Sequence, residues 1–196
     1  MKFLILLLLS ASVLALKPHT ATYTLSISDF EIADVQIALS KTNDIYTYTL
    51  DAQTQGLAYL IKDYEIHSKS TFALDQFGLQ SQRYQNFERD GDRVKKDIDI
   101  HPKNHQVDPL NQTLAIANIL EKNPNQTDFY FPLNNGKKIS KKYYKKVLND
   151  NNNLIRVISS DANTEVYFAR NKHYIPTLIR NKKITYQLKA KTLHFY

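Results

Sequence analysis

Residues 108–124 read DPLNQTLAIANILEKNP, the one clear helical signature after the first fifteen residues of a chain otherwise patterned for strands. Asp108 suits an N-cap, Pro109 the first helical position, and Pro124 a stop just past the end. At roughly 100° per residue, Leu110, Thr113, Leu114, Ala115, Ile116, Ala117, Ile119 and Leu120 cover most of the circumference. Asn111 and Asn118 alone make a polar stripe. A helix that is apolar nearly all round needs enclosure rather than a surface to lie on. The expected fold is therefore mainly β (α+β), with about ten antiparallel strands in a curved sheet or open barrel wrapped around one long helix of about residues 109–122.

The flanking sequence supplies those strands. TATYTLSI at 20–27 puts Ala21, Tyr23, Leu25 and Ile27 on one face, and residues 32–39 repeat the pattern with Val35, Ile37 and Leu39. In IYTYTLDAQT at 45–54, Tyr46, Tyr48, Leu50 and Ala52 oppose Thr47, Thr49 and Asp51. The period breaks at Gly56, where LAYLI at 57–61 suits a plug or an inward-facing edge. Alternation returns at 64–74, Gly78-Leu79 leads into a long polar strand, and Asp90-Gly91-Asp92 turns a hairpin into residues 93–101. Beyond the helix, TDFYFPL at 127–133 is strand-like and Asn134-Asn135-Gly136 is a turn. The rhythm of turns makes KKISKKYYKKVL at 137–148 a strand, and short strands follow between residues 154 and 188.

The first fifteen residues have the form of a signal peptide: Lys2, an apolar run at 3–9, and Val13-Leu14-Ala15 at the cleavage positions. That run is much shorter than the ~20 residues a spanning helix needs. The expected organisation is a signal peptide over 1–15 and a single β-rich domain over 16–196, exported to the periplasm of a Gram-negative bacterium. No cysteine is present, which excludes disulfides, thiol catalysis, thiolate metal sites and a lipid anchor on an N-terminal cysteine. A disulfide-free exported chain of this size fits a bacterial envelope, where the sequons at Asn111 and Asn125 carry no glycan. Charge is uneven: residues 16–136 hold 11 Lys/Arg against 16 Asp/Glu, and residues 137–196 hold 14 against 3. Such a dipole orients a protein against an anionic surface, although a compositional bias toward Lys, Asn, Ile and Tyr raises the pI equally well.

Two constellations carry candidate chemistry. Asp97, Asp99 and His101 share one face of the strand at 93–101, with His105 just beyond. Carboxylate and imidazole are zinc or manganese ligands, so a metal-dependent hydrolase using these three residues is the alternative function. A half-exposed strand shows the same pattern, with charge outward, Ile inward and Lys95 as the neighbour of Asp97. No nucleophile elbow, zincin motif, phosphate-cradling glycine loop or clustered acid pair occurs, so no catalytic residue, metal or cofactor is expected. The second constellation is Lys137, Lys138, Lys141, Lys142, Lys145 and Lys146, interleaved with Tyr143 and Tyr144. Export removes nucleic acid as a partner. For an anionic membrane each lysine contributes about 1 kcal/mol, so the effect depends on how many share a face.

Tyr23-Thr24-Leu25, Tyr46-Thr47-Tyr48 ahead of Gly56-Leu57, Gly78-Leu79, and above all Asp108-Pro109-Leu110 and Ile175-Pro176 form a set. On these residues the chain resembles the bacterial envelope proteins of domain of unknown function family 3108 (DUF3108), over nearly its whole length after the leader. The resemblance implies a periplasmic setting and a β-rich fold, and no activity. More distantly, a sheet wrapped on helices is similar to the Lol-type periplasmic lipoprotein carriers, whose cavity holds acyl chains. The expected function is that of a non-enzymatic envelope protein. It acts as a scaffold or interaction module, or binds an apolar or lipid-like ligand in the concave sheet, its partner being a lipid or another envelope component. Tyr46, Tyr48, Tyr59, Phe72, Leu114, Ala117, Phe129 and Phe131 are the candidate lining residues. A filled core is the competing expectation, since each buried apolar side chain is worth roughly 1.5–3 kcal/mol without any ligand.

Overall fold

The computed structural model describes residues 16–28, 30–54, 63–147 and 153–196. The expected signal peptide at 1–15 and the apolar run at 57–61, with Tyr59, lie outside the described residues. Six strands form an up-and-down meander: β1 (His19–Ile27), β2 (Phe30–Thr42), β3 (Ile45–Thr54), β4 (Tyr64–Asp75), β5 (Gly78–Asp90) and β6 (Arg93–Ile100). Six more form a second: β7 (Asp128–Asn134), β8 (Ile139–Val147), β9 (Leu154–Ser159), β10 (Thr164–Ala169), β11 (Ile175–Asn181) and β12 (Ile184–Leu188). β1 pairs with β12 to join them, and β13 (His194–Phe195) pairs with the start of β1. The result is one open, curved, antiparallel sheet of thirteen strands, against about ten expected. The two-residue β13 is too short to carry a period.

Alternation works as read. Ala21, Tyr23 and Leu25 on β1, Val35, Ile37 and Leu39 on β2, and Tyr46 and Tyr48 on β3 are buried, while Thr22, Gln36 and Thr47 between them are not. One exception shapes the interior. Ser81 and Tyr84 are three residues apart yet both buried, because a bulge between Thr71 and Phe72 pairs Phe72 with Ser81 and Thr71 with Arg83.

The helix α1 (Gln112–Lys122) links the two meanders. Leu114, Ala115, Ile116, Ala117, Asn118 and Leu120 are all buried, so the enclosure expected from its composition is observed. Two details differ. The helix begins at Gln112 rather than near 109, because the Asp108 carboxylate first folds the chain into a turn by accepting from the N–H groups of Leu110 (2.9 Å) and Asn111 (3.0 Å). The polar stripe is also not on the surface: Asn111 and Asn118 are 0 % and 1 % exposed. The Asn111 amide donates to the Ser70 and Ser81 hydroxyls and to Asp108, which makes this sequon closed to glycosylation. The helix ends with Asn123 N–H bonded to Ile119 O, one residue before Pro124. Among the described residues, no helix is long and apolar enough to cross a membrane.

The sheet curls until its ends meet through a third segment. Strands β6 and β7 do not pair. Instead Ser81 N–H on β5 donates to Gln106 O, Val107 N–H donates to Pro132 O on β7, and Asn134 N–H donates back to Val107 O. Residues 106–107 therefore tie β5, one strand in from the β6 edge, to the β7 edge. Farther along the seam, the β7–β8 turn closes on β6 by side-chain packing, where Gly136 lies against Ile98 and Ile100.

Candidate functional site: the cavity beside the helix

The interior divides into two parts. Around α1, Leu39, Tyr46, Phe72, Phe129, Phe168, Leu114 and Leu120 are each at most 2 % exposed and form a closed core. Tyr46 stacks on Phe72 with ring centres 5.1 Å apart. Beside this core is a cavity of about 720 Å³, within the ~300–1,000 Å³ range of small-molecule sites. One flank of the helix entrance forms its floor, through Leu110, Thr113 and Ile116. The sheet supplies an apolar wall of Val35, Ile37, Leu50, Val166 and Ile179, and a set of tyrosines, Tyr23, Tyr48, Tyr84, Tyr144 and Tyr186.

Two of the tyrosines are tied by their hydroxyls, and the phenols are uncharged. Tyr23 donates its hydroxyl to Pro176 O at 2.7 Å, spanning β1 to β11. Tyr144 donates to Gln112 Oε1 at 2.8 Å, tying β8 to the first helical residue. Burial pushes the Tyr144 phenol up to about 12 and raises those of Tyr23, Tyr48 and Tyr84 as well. Deeper along β5, Glu88 accepts from Lys96 Nζ (2.6 Å), Asn86 Nδ2 (3.1 Å) and the Tyr64 hydroxyl (3.0 Å). Burial acts to raise the Glu88 carboxyl, but these donors outweigh it and leave the group below its ordinary value. Among the described residues no Asp, Glu or His borders the cavity.

The expected lining residues are mostly elsewhere. Tyr48 borders the cavity, whereas Tyr46, Phe72, Leu114, Ala117, Phe129 and Phe131 are absorbed in the closed core. Tyr59 lies outside the described residues. The positions that replace them, such as Tyr23, Tyr84 and Tyr186, sit at inward phases of their strands. The floor residues Leu110, Thr113 and Ile116 recur three apart at the entrance of the helix, and Ala117, which shares their side, lies nearer the closed end. Those phases are in the sequence; what it lacks is any mark of where side chains stop filling the space.

The lysine segment divides by strand parity. Lys141 and Lys145 point outward, with the Lys141 ammonium 6.0 Å from the centre of the Tyr130 ring. Lys142 follows the inward phase of Ser140 and Tyr144. Lys146 reaches Pro124 O at 2.8 Å, and Lys137 and Lys138 sit on the turn before the strand.

The acidic strand face is occupied by ordinary partners. Asp99 accepts from Arg83 Nη2 at 2.6 Å and from Arg83 Nε at 3.0 Å, with Gln85 adding a third bond. Lys95 lies 3.7 Å from Asp90 rather than serving Asp97. Asp97 and His101 are exposed, and among the described residues no three His, Asp or Glu side chains converge as a metal would require.

A solved structure shares this fold. It is the β-barrel-like protein of domain of unknown function DUF1849 from Brucella abortus, with a TM-score of 0.54 over 92 % of this chain and 98 % of that one. The two are 10 % identical, so the likeness is one of fold. No protein-family profile and no curated protein matches the chain.

Proposed function

We propose that this chain is an exported envelope protein, without catalytic activity, that holds an apolar or lipid-like ligand between α1 and the concave sheet. The observation that carries the reading is the cavity itself: about 720 Å³ left unfilled beside a core whose other half is closed. Its walls combine apolar side chains and neutral phenols with a few polar groups and lysines, a lining suited to holding a ligand. The resemblance to family 3108 belongs to the same reading. Its Asp108-Pro109-Leu110 forms the helix entrance beside the cavity floor, and Pro176 from Ile175-Pro176 borders the cavity and accepts the Tyr23 hydroxyl.

Native mass spectrometry on protein purified from its own envelope tests this, together with uptake of a fluorescent fatty acid. The expected result is a lipid-sized adduct or saturable uptake at one site per chain. Absence of both removes the carrier reading and leaves a scaffold.

A further inference from the structure

Four lysines border the cavity, Lys96, Lys137, Lys138 and Lys142, with Lys141 at its rim, where its side chain takes the outward phase toward Tyr130; among the described residues no carboxylate borders it. Two have acidic partners. Lys96 donates to Glu88, and the Lys142 ammonium stands 3.8 Å from Asp161, whose carboxyl is held well below its ordinary value by Ser159 and Asn163. Among the described residues Lys137, Lys138 and Lys141 have no carboxylate within 4.0 Å. Lys137 and Lys138, on the β7–β8 turn, are exposed while bordering the cavity, so they stand at its rim.

The turn that presents them is braced. Asn135 Oδ1 accepts from both Lys137 N–H and Lys138 N–H at 3.0 Å, Asn134 Oδ1 accepts from Gly136 N–H at 3.1 Å, and Gly136 packs on Ile98. A mouth with fixed positive charge, opening into an apolar and phenolic interior, is complementary to one ligand chemistry. It fits a single-chain amphiphile with an anionic head. A neutral head leaves the ammonium groups to water alone, and a cationic head meets repulsion. An oxyanion accepts charge-assisted hydrogen bonds from Lys137, Lys138 and Lys142 at the edge of a low-dielectric interior, where they are stronger than in bulk water.

We propose that the ligand carries a phosphate or carboxylate head seated on Lys137, Lys138 and Lys142, with its apolar chain lying along α1 and the sheet. This rests on the reading of the cavity as a ligand site. Titration calorimetry on the full chain separates the two. The probes are decyl phosphate, decanoate, decyl maltoside and decyltrimethylammonium, each below its micelle concentration, and inorganic phosphate alone. The expected order places decyl phosphate and decanoate at least tenfold tighter than decyl maltoside, with decyltrimethylammonium weakest and the anionic preference shrinking as salt rises. The variant Lys137→Gln/Lys138→Gln/Lys142→Gln is expected to keep its unfolding midpoint while decyl phosphate and decanoate fall to the affinity of decyl maltoside, and an anionic preference that survives in it overturns the head seat. The outward Lys145→Gln changes nothing. Equal affinity for all four heads overturns the head seat and leaves the cavity reading standing. Binding of none of the decyl compounds overturns both. Inorganic phosphate binding as tightly as decyl phosphate also overturns the proposal, since the lysines then form an anion site independent of any chain.

Discussion

The Asp108 carboxylate uses both oxygens at the helix entrance. Oδ1 accepts from two backbone N–H groups, and Oδ2 accepts from the Ser70 hydroxyl at 2.5 Å and the Asn111 amide at 2.9 Å. The residue is fully buried, and desolvation raises its pKa despite these donors. A carboxyl raised in the folded state contributes stability that is fully present below its unfolded pKa and lost as pH rises through the folded one. Asp108→Asn replaces an acceptor by a donor opposite Asn111 and Ser70. It is expected to cost about 1–3 kcal/mol at neutral pH, the magnitude for a buried group left unsatisfied. The cost should grow as pH falls, because only the wild type gains from protonation. Urea unfolding midpoints of both chains at several pH values measure this. In the sequence Asp108 is legible as a cap, but its bonds to Ser70 and Ser81 are not: they depend on the bulge that turns Ser81 inward, which has no periodic signature.

At the scale of elements, the strands and the helix follow from alternation and from apolar coverage, because period and burial are the same fact seen twice. The closures do not. Residues 106–107 tie β5 to β7 through backbone groups, which any residue type can supply. The contact of the β7–β8 turn with β6 depends on Gly136, whose φ of +85° disfavours a side chain and whose added Cβ would lie 2.9 Å from Ile98 Cγ2. Gly136→Ala is expected to lose at least about 1 kcal/mol, since both the conformation and the space oppose it. In a double-mutant cycle with Ile98→Ala, the steric part is relieved and the conformational part remains. A coupling energy near zero from the unfolding midpoints means that the turn does not rest on β6, and the braced mouth loses its support. The same strand parity that sends Lys141 outward sends Lys142 inward. A segment that reads as one basic stripe therefore serves two faces.

For the whole molecule, the closed half and the open half of the barrel should answer differently to substitution. An unfilled volume is a sum over many side chains from both meanders, so no local pattern in the chain records it, and the sequence leaves a filled core and a pocket equally open. Phe72, fully buried and stacked on Tyr46, belongs to the closed half, where truncation to Ala is expected to cost about 3–5 kcal/mol. Ile179 on β11 borders the cavity. Ile179→Trp places a ring in empty space, so its stability change should stay below the ~1–3 kcal/mol that overpacking costs in a filled core. The chain has no tryptophan of its own, which makes the new indole the sole reporter of its kind. Ile179→Trp should show blue-shifted emission and a wild-type-like midpoint, yet lose fatty-acid uptake at least tenfold. Phe72→Ala should unfold earlier while its folded fraction keeps uptake. Retained uptake in Ile179→Trp would place the ligand somewhere other than this cavity. A large loss of stability there would instead mean that the wall of β11 is packed and the open half is not open.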